Sequence, residues 1–150
     1  MGVVSQFAVG GAISIVNIAI HALVMTWVVR VARSLSEQER SSKPLFLPCI
    51  MIGVVSVLMA AHACEVLVWS LAYSVLGVIP EGTSPVYFAF VNYTTLGYGD
   101  VLPVKAWQML GPITAMNGVL MFGWSTAVIF EVLRRSLELD PAISRAHRRR

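Results

Sequence analysis

Two glycines, Gly97 and Gly99, stand two residues apart in the run Thr94-Thr95-Leu96-Gly97-Tyr98-Gly99-Asp100. That spacing has a chemical use. A potassium ion gives up its hydration water only where other oxygens replace it, and rings of backbone carbonyls do so. Aiming successive carbonyls at one axis requires a backbone that alternates between right- and left-handed conformations. Glycine takes the left-handed one without steric cost. Gly97 and Gly99 have the required spacing. Thr95, Leu96, Gly97 and Tyr98 then offer carbonyl oxygens to K+, and Thr95 can add its hydroxyl. Asp100 follows directly, at an outer mouth where a carboxylate attracts cations.

Such a run must be held by something, and the composition says in what medium. Of 150 residues, 57% are hydrophobic and 13% are charged, about half the ~25% of a soluble domain. This excludes a disordered chain, a collagenous chain and an ordinary soluble enzyme domain, and leaves an integral membrane protein. Arg30, Arg33, Arg40 and Lys43 form one basic cluster, and Arg134, Arg135, Arg145, Arg148, Arg149 and Arg150 another. No folded polar surface accompanies them, so the charge reads as cytoplasmic flanks of apolar segments rather than a nucleic-acid surface. Cys49 and Cys64 lie roughly 22 Å apart on one helix, beyond disulfide reach.

The expected fold is an all-α membrane protein. Residues 1–33 form an N-terminal transmembrane helix, uncharged through residue 29 and followed, not preceded, by its positive charges, unlike a cleaved signal peptide. Residues 34–44 are a polar cytoplasmic linker. An outer helix covers 45–79, broken in charge only by Glu65 and ended by Pro80-Glu81-Gly82. Ser84 then Pro85 is an N-cap followed by proline at the first helical position. Residues 85–94 can then form a helix of about 15 Å, half the membrane. A half-length helix followed by glycine-broken backbone is a re-entrant loop. A final helix fits 112–133, with Lys105 and Trp107 at the outer interface, and 136–150 form a basic tail. Both basic clusters then fall inside, with the N-terminus outside and the C-terminus cytoplasmic.

Here the sequence resembles the potassium-channel pore family. The match lies in Thr95-Leu96-Gly97-Tyr98-Gly99-Asp100, preceded by Thr94 and an aromatic half-helix with Tyr87, Phe88 and Phe90. Leu96 stands where the family commonly has valine. Gly118 lies about where the family places a gating-hinge glycine, within Gly118-Val119-Leu120-Met121-Phe122-Gly123. The resemblance spans roughly 45–135 and implies a pore domain with a pore helix at 85–94, a selectivity filter at 95–99 and an inner helix at 112–133. It also implies a cavity lined by Val119, Phe122, Thr126 and Ala127, which share helical spacing. One loop per chain cannot close a ring, so a homotetramer with fourfold symmetry is expected. The function implied is passive potassium conduction across a plasma membrane, with K+ in the filter and no other cofactor. The compact plan points to a prokaryotic membrane. A weakly selective cation channel of the same fold is the alternative.

Other residues suggest further roles. Arg148-Arg149-Arg150 can attract anionic lipid headgroups. Asn17 and His21 share a helix face and are expected to bond to a neighbouring helix, with Asn117 as packing glue. Gly10-Gly11 permits close helix contact. A membrane redox subunit using His21 and His62 is a separate reading. Counted from Arg30 and Leu45, however, the two histidines lie about 13 and 25 Å up their helices, a mismatch for one haem. Glu65 and His62 share a face, about level with the filter. Glu65 is expected to reach the back of the loop, meeting Asn92, Tyr98 or the backbone near Asp100. Contact with interfacial water, or a pairing with His62, is the simpler alternative. No catalytic constellation, voltage-sensing arginine ladder or nucleotide-binding loop is visible.

The glycine argument makes a prediction. In Gly99→Ala a Cβ at positive φ costs roughly 1–2 kcal/mol in each chain. Isotope flux into proteoliposomes should show lost potassium preference or lost conduction in a protein that still assembles. An unchanged preference would remove the backbone geometry invoked here.

Overall fold

Residues 2–38 contain no proline and no charge before Arg30, so nothing interrupts helical hydrogen bonding. In the computed structural model, which describes residues 2–38 and 46–138, helix α1 runs Val3–Gln38. Its 36 residues make about 54 Å, well beyond the ~30 Å hydrocarbon thickness. It therefore continues through residues 34–38, which the sequence reading assigned to the linker. Helix α2 is Phe46–Leu76, with Pro48 in its first turn, where a missing N–H costs nothing. Helix α3 is Pro85–Tyr93, and α4 is Leu110–Glu138. A single 3₁₀ turn, Lys105–Trp107, precedes α4. The described residues are helical and turn structure without strands. Three helices are long and apolar enough to cross a membrane. The chain is an all-helical membrane protein. Residues 39–45, within the expected linker, and 139–150, which carry Arg148–Arg150, lie outside the described residues.

Helix α2 stops three residues earlier than expected, and the stop is local chemistry. Gly77 adopts φ 61°, and its N–H donates to the Ser74 carbonyl at 3.4 Å while Val78 N–H donates to Tyr73 at 3.0 Å. This paired closure is a Schellman motif, with glycine at its left-handed position. It frees the chain before Pro80 is reached. Val78 then turns fully inward, and its carbonyl accepts from Val104 N–H at 2.8 Å. At the other end of the loop, α4 begins at Leu110, two residues before the predicted Pro112 start. Trp107 is buried in the core instead of lying at the lipid interface.

The chain divides into two compact units. The first comprises the residues up to His21 and Ala61–Gly123. Its core joins Val66, Trp69 and Tyr73 of α2 to Phe88, Ala89 and Tyr93 of α3 and to Leu110, Ile113 and Met121 of α4. Polar ties cross this core. Asn117 Oδ1 accepts from Asn17 Nδ2 and from Trp69 Nε1, both at 3.1 Å. Tyr73 meets the Thr114 hydroxyl, and Gln6 Oε1 accepts the Met109 N–H at 2.9 Å. Asn17 and Asn117 thus connect helices, as the sequence reading expected. Gly10 also makes the expected close contact, because a Cβ there would come within 2.9 Å of Ile113. Its neighbour Gly11 faces open space.

The second unit comprises Ala22–Ala60 and the residues from Trp124. It packs Met25, Val28 and Ala32 against Ile50, Val54 and Leu58 and against Val128 and Val132. The three- and four-residue spacing of these positions is one helical stripe per helix. Glu131 accepts from Arg134 Nη2 at 2.9 Å and also from Arg135. Large apolar side chains remain exposed on all three long helices, among them Leu23, Ile52, Leu71, Val119 and Phe130.

Gly118 sits inside α4 where that helix meets the end of α3. A Cβ at this position would overlap the Tyr93 carbonyl. Gly118→Ala should therefore destabilise the first unit by about 1–3 kcal/mol, the usual cost of overpacking. Thermal unfolding in detergent measures it. A melting temperature equal to wild type would show that the contact tolerates a methyl group.

Candidate functional site

The site begins with a helix that is too short to span. Ser84 caps α3, its hydroxyl accepting from Tyr87 N–H at 3.3 Å, and Pro85 fills the first helical position. Nine residues make about 14 Å. The C-terminus closes with the same motif as α2. Thr95 N–H donates to the Asn92 carbonyl at 3.0 Å, and Leu96 N–H to Val91 at 2.9 Å. The left-handed position is held by Thr95, at φ 61°. A β-branched residue there is a conformational outlier. Gly97 and Gly99 follow at φ 56° and 76°. Positive φ thus recurs at Thr95, Gly97 and Gly99, every second residue. The glycine spacing indicated two of these positions. The third escaped it, because threonine carries no mark of a left-handed conformation.

The run then returns toward the start of α3. Tyr87 OH donates to Asp100 Oδ2 at 2.7 Å, so residue 100 lies beside the first turn of the helix that residue 95 terminates. Five residues reach at most about 17 Å, close to the length of α3. The loop therefore lies alongside its helix as a return strand of irregular backbone. Asp100 as acceptor raises the Tyr87 phenol above its ordinary pKa, so the hydroxyl remains a donor. Leu96, Tyr98 and Asp100 are all exposed in the single chain.

Behind the end of α3 lies a polar cluster that the sequence indicated only in part. Glu65 is wholly buried. Its Oε1 accepts from His21 Nδ1 at 2.7 Å, and its Oε2 from His62 Nδ1 at 3.2 Å and from the Tyr93 hydroxyl. His62 Nδ1 also lies 3.0 Å from the Tyr93 oxygen. Glu65 does reach the loop-bearing helix and does pair with His62. The partners expected from sequence were wrong, however. Tyr93 takes the place assigned to Asn92, Tyr98 or the backbone near Asp100. Asn92 instead bonds back to the Phe88 carbonyl at 2.8 Å.

The estimate of histidine depth was also wrong. The His21 and His62 ring centroids lie 5.3 Å apart. Arg30 does not mark the end of α1, which continues to Gln38. Counted from the true helix ends, His21 lies about 26 Å along α1 and His62 about 24 Å along α2. The depth mismatch counted from the sequence is therefore absent, and both rings present Nδ1 to one carboxylate.

The positions expected to line a cavity, Val119, Phe122, Thr126 and Ala127, are exposed on α4. Phe122 has a second contact, its ring 4.7 Å from His62 and 5.4 Å from Tyr93 by centroid. Gly118, the expected hinge, lies within unbroken α4 at the close approach described above.

Residues 61–135 match the family described as "Ion channel", and the chain belongs to that family. A protein of Rhodopseudomonas palustris (strain ATCC BAA-98 / CGA009) named "Putative potassium channel protein" is 26% identical over 98 residues. The alignment covers 65% of this chain and 23% of that relative. No solved structure matches the chain.

The buried carboxylate generates the next prediction. Tyr93→Phe removes one donor from Glu65 without changing shape. Losing a partner of a buried charged group costs roughly 1–3 kcal/mol or more. The variant should melt at lower temperature in detergent, and a melting temperature equal to wild type would show that the bond contributes nothing.

Proposed function

We propose that the protein is a potassium-selective channel in which four copies surround one conduction axis. The observation that carries this reading is the alternation of positive φ at Thr95, Gly97 and Gly99, directly after a half-length helix. Alternating handedness turns successive carbonyls toward one side of the chain, and a ring of such carbonyls replaces the water around K+. Thr95, Leu96, Gly97 and Tyr98 supply those oxygens, and Gly99 keeps the run in register. The carboxyl end of α3 bears the partial negative charge of its peptide dipoles, which favours a cation beside Thr94 and Thr95.

The exposure of Leu96 and Tyr98 in the single chain supports a ring in which neighbouring copies cover these side chains. Asp100 stands at the outer mouth. Val119, Phe122, Thr126 and Ala127 line the cavity below. Transport is passive. The arginines that follow the apolar run of α1 and those near the end of α4 support an orientation with the N-terminus outside and the C-terminus in the cytoplasm of a plasma membrane. The potassium channel name of the bacterial relative agrees with this reading.

Purified protein in liposomes should pass potassium and rubidium well and sodium poorly. Equal sodium and potassium flux would leave a weakly selective cation channel. Mass measurement in a gentle detergent should give four chains, and a monomer or dimer that retains flux would end the fourfold reading.

A further inference from the structure

We propose that His21, His62 and Glu65 form a binding site for a borderline divalent transition-metal ion, of which Zn2+ is the representative. Three observations point there. The first is the donor set. Two imidazoles and one carboxylate suit zinc-class ions, whereas K+, Mg2+ and Ca2+ take oxygen ligands. The second is geometry. One ligand atom from each residue lies within 4.8 Å of the other two, and the three come from two helices packed in one unit. His21 and Glu65 are wholly buried, while His62 is partly exposed and gives the site an approach.

The third observation is charge. The first unit contains a single lysine or arginine, Lys105, on the loop before α4. The ion pairs that Glu65 makes are with His21 and His62. A buried carboxylate is expensive unless it is well paired. A divalent ion held between the three groups adds positive charge directly beside that carboxylate. One ring nitrogen from each histidine and one carboxylate oxygen would hold the ion. The Tyr93 hydroxyl, already on Glu65 Oε2, is placed to turn from donor to the carboxylate into a fourth oxygen beside the ion. The site is independent of the proposed potassium selectivity.

The test uses the purified full chain in detergent, stripped with a chelator and titrated with zinc. Bound metal is counted by elemental analysis, affinity is read by calorimetry, and thermal unfolding is followed with and without zinc. Wild type should bind one zinc per chain and melt at higher temperature when loaded. Glu65→Gln and His62→Gln should each weaken binding by at least roughly 10–100-fold, the loss that even outer-sphere changes cause, and lose the zinc-dependent rise in melting temperature. Should Glu65→Gln fail to fold, His62→Gln, at the partly exposed position, carries the comparison alone. Absence of stoichiometric zinc at millimolar excess would overturn the proposal. So would equal affinity in wild type and His62→Gln, which would place the metal elsewhere. Flux without zinc tests the channel, and zinc stoichiometry tests this site, so the two failures are distinguishable.

Discussion

A carboxylate held away from water must be satisfied where it sits, and Glu65 is buried completely. Its three side-chain donors come from three different helices. His21 belongs to α1, His62 to α2 itself and Tyr93 to the last turn of α3. Hydrogen bonds to a charged group are worth roughly 1.5–3 kcal/mol each, and leaving such a group unpaired costs more. Apolar packing alone would let these helices slide, because one aliphatic ridge fits many grooves. The two bonds that cross helices, from His21 and from Tyr93, allow a single register, while the His62 bond lies within α2. They fix how far α1 and α2 run past each other within the first unit and where the carboxyl end of α3 stops. The same tyrosine presents its carbonyl to Gly118 of α4. One side chain therefore positions the end of the helix that leads into the 95–100 loop.

The loop itself depends on how that end is closed. A helix that stops inside an apolar layer leaves carbonyls without partners. The closure at Thr95 and Leu96 satisfies the carbonyls of Asn92 and Val91 and turns the chain back. Thr95 holds the left-handed position that α2 gives to Gly77. The conformation costs about 1–2 kcal/mol for a residue with a Cβ. Two helix-closing bonds offset it locally. A glycine would relieve that strain; what it would lack is the threonine hydroxyl.

Much of this was legible in the sequence, for identifiable reasons. Long uncharged runs reported the spanning helices, since length and hydropathy are local properties. Ser84-Pro85 and the glycine pair at 97 and 99 reported α3 and its loop, since caps and positive φ are also local. What failed were inferences that depended on a reference point or a partner. Arg30 was taken as the lower edge of α1, but an arginine can remain in a helix whose side chains reach polar surroundings. Every depth counted from it was therefore short. Glu65 was correctly placed opposite the loop-bearing helix, yet its contact there is Tyr93. Which of several neighbouring residues faces a given carboxylate is set by helix rotation, and α3 is too short to show a clear periodicity. Gly77 was overlooked because the stronger breaker, Pro80, follows it.

The glycines of α4 show how one residue type answers different demands. The family likeness reads Gly118 as a point of bending. In the structure its missing Cβ is already required by the Tyr93 carbonyl, so close contact by itself accounts for glycine there. The neighbouring bonds point the same way. Asn117 accepts from Trp69 and Asn17, and Thr114 meets Tyr73. Residues 114–118 of α4, little more than one turn, are thus tied to α1, α2 and α3. Bending at Gly118 would have to separate the Tyr93 contact and strain the Asn117 bonds together. At Gly123, by contrast, nothing lies within 4 Å of where a Cβ would stand. The tied segment of α4 and the Glu65 network meet at the same residue, Tyr93. The backbone leading into Thr95 is therefore held from both sides, by the carboxylate at its ring and by the glycine at its carbonyl.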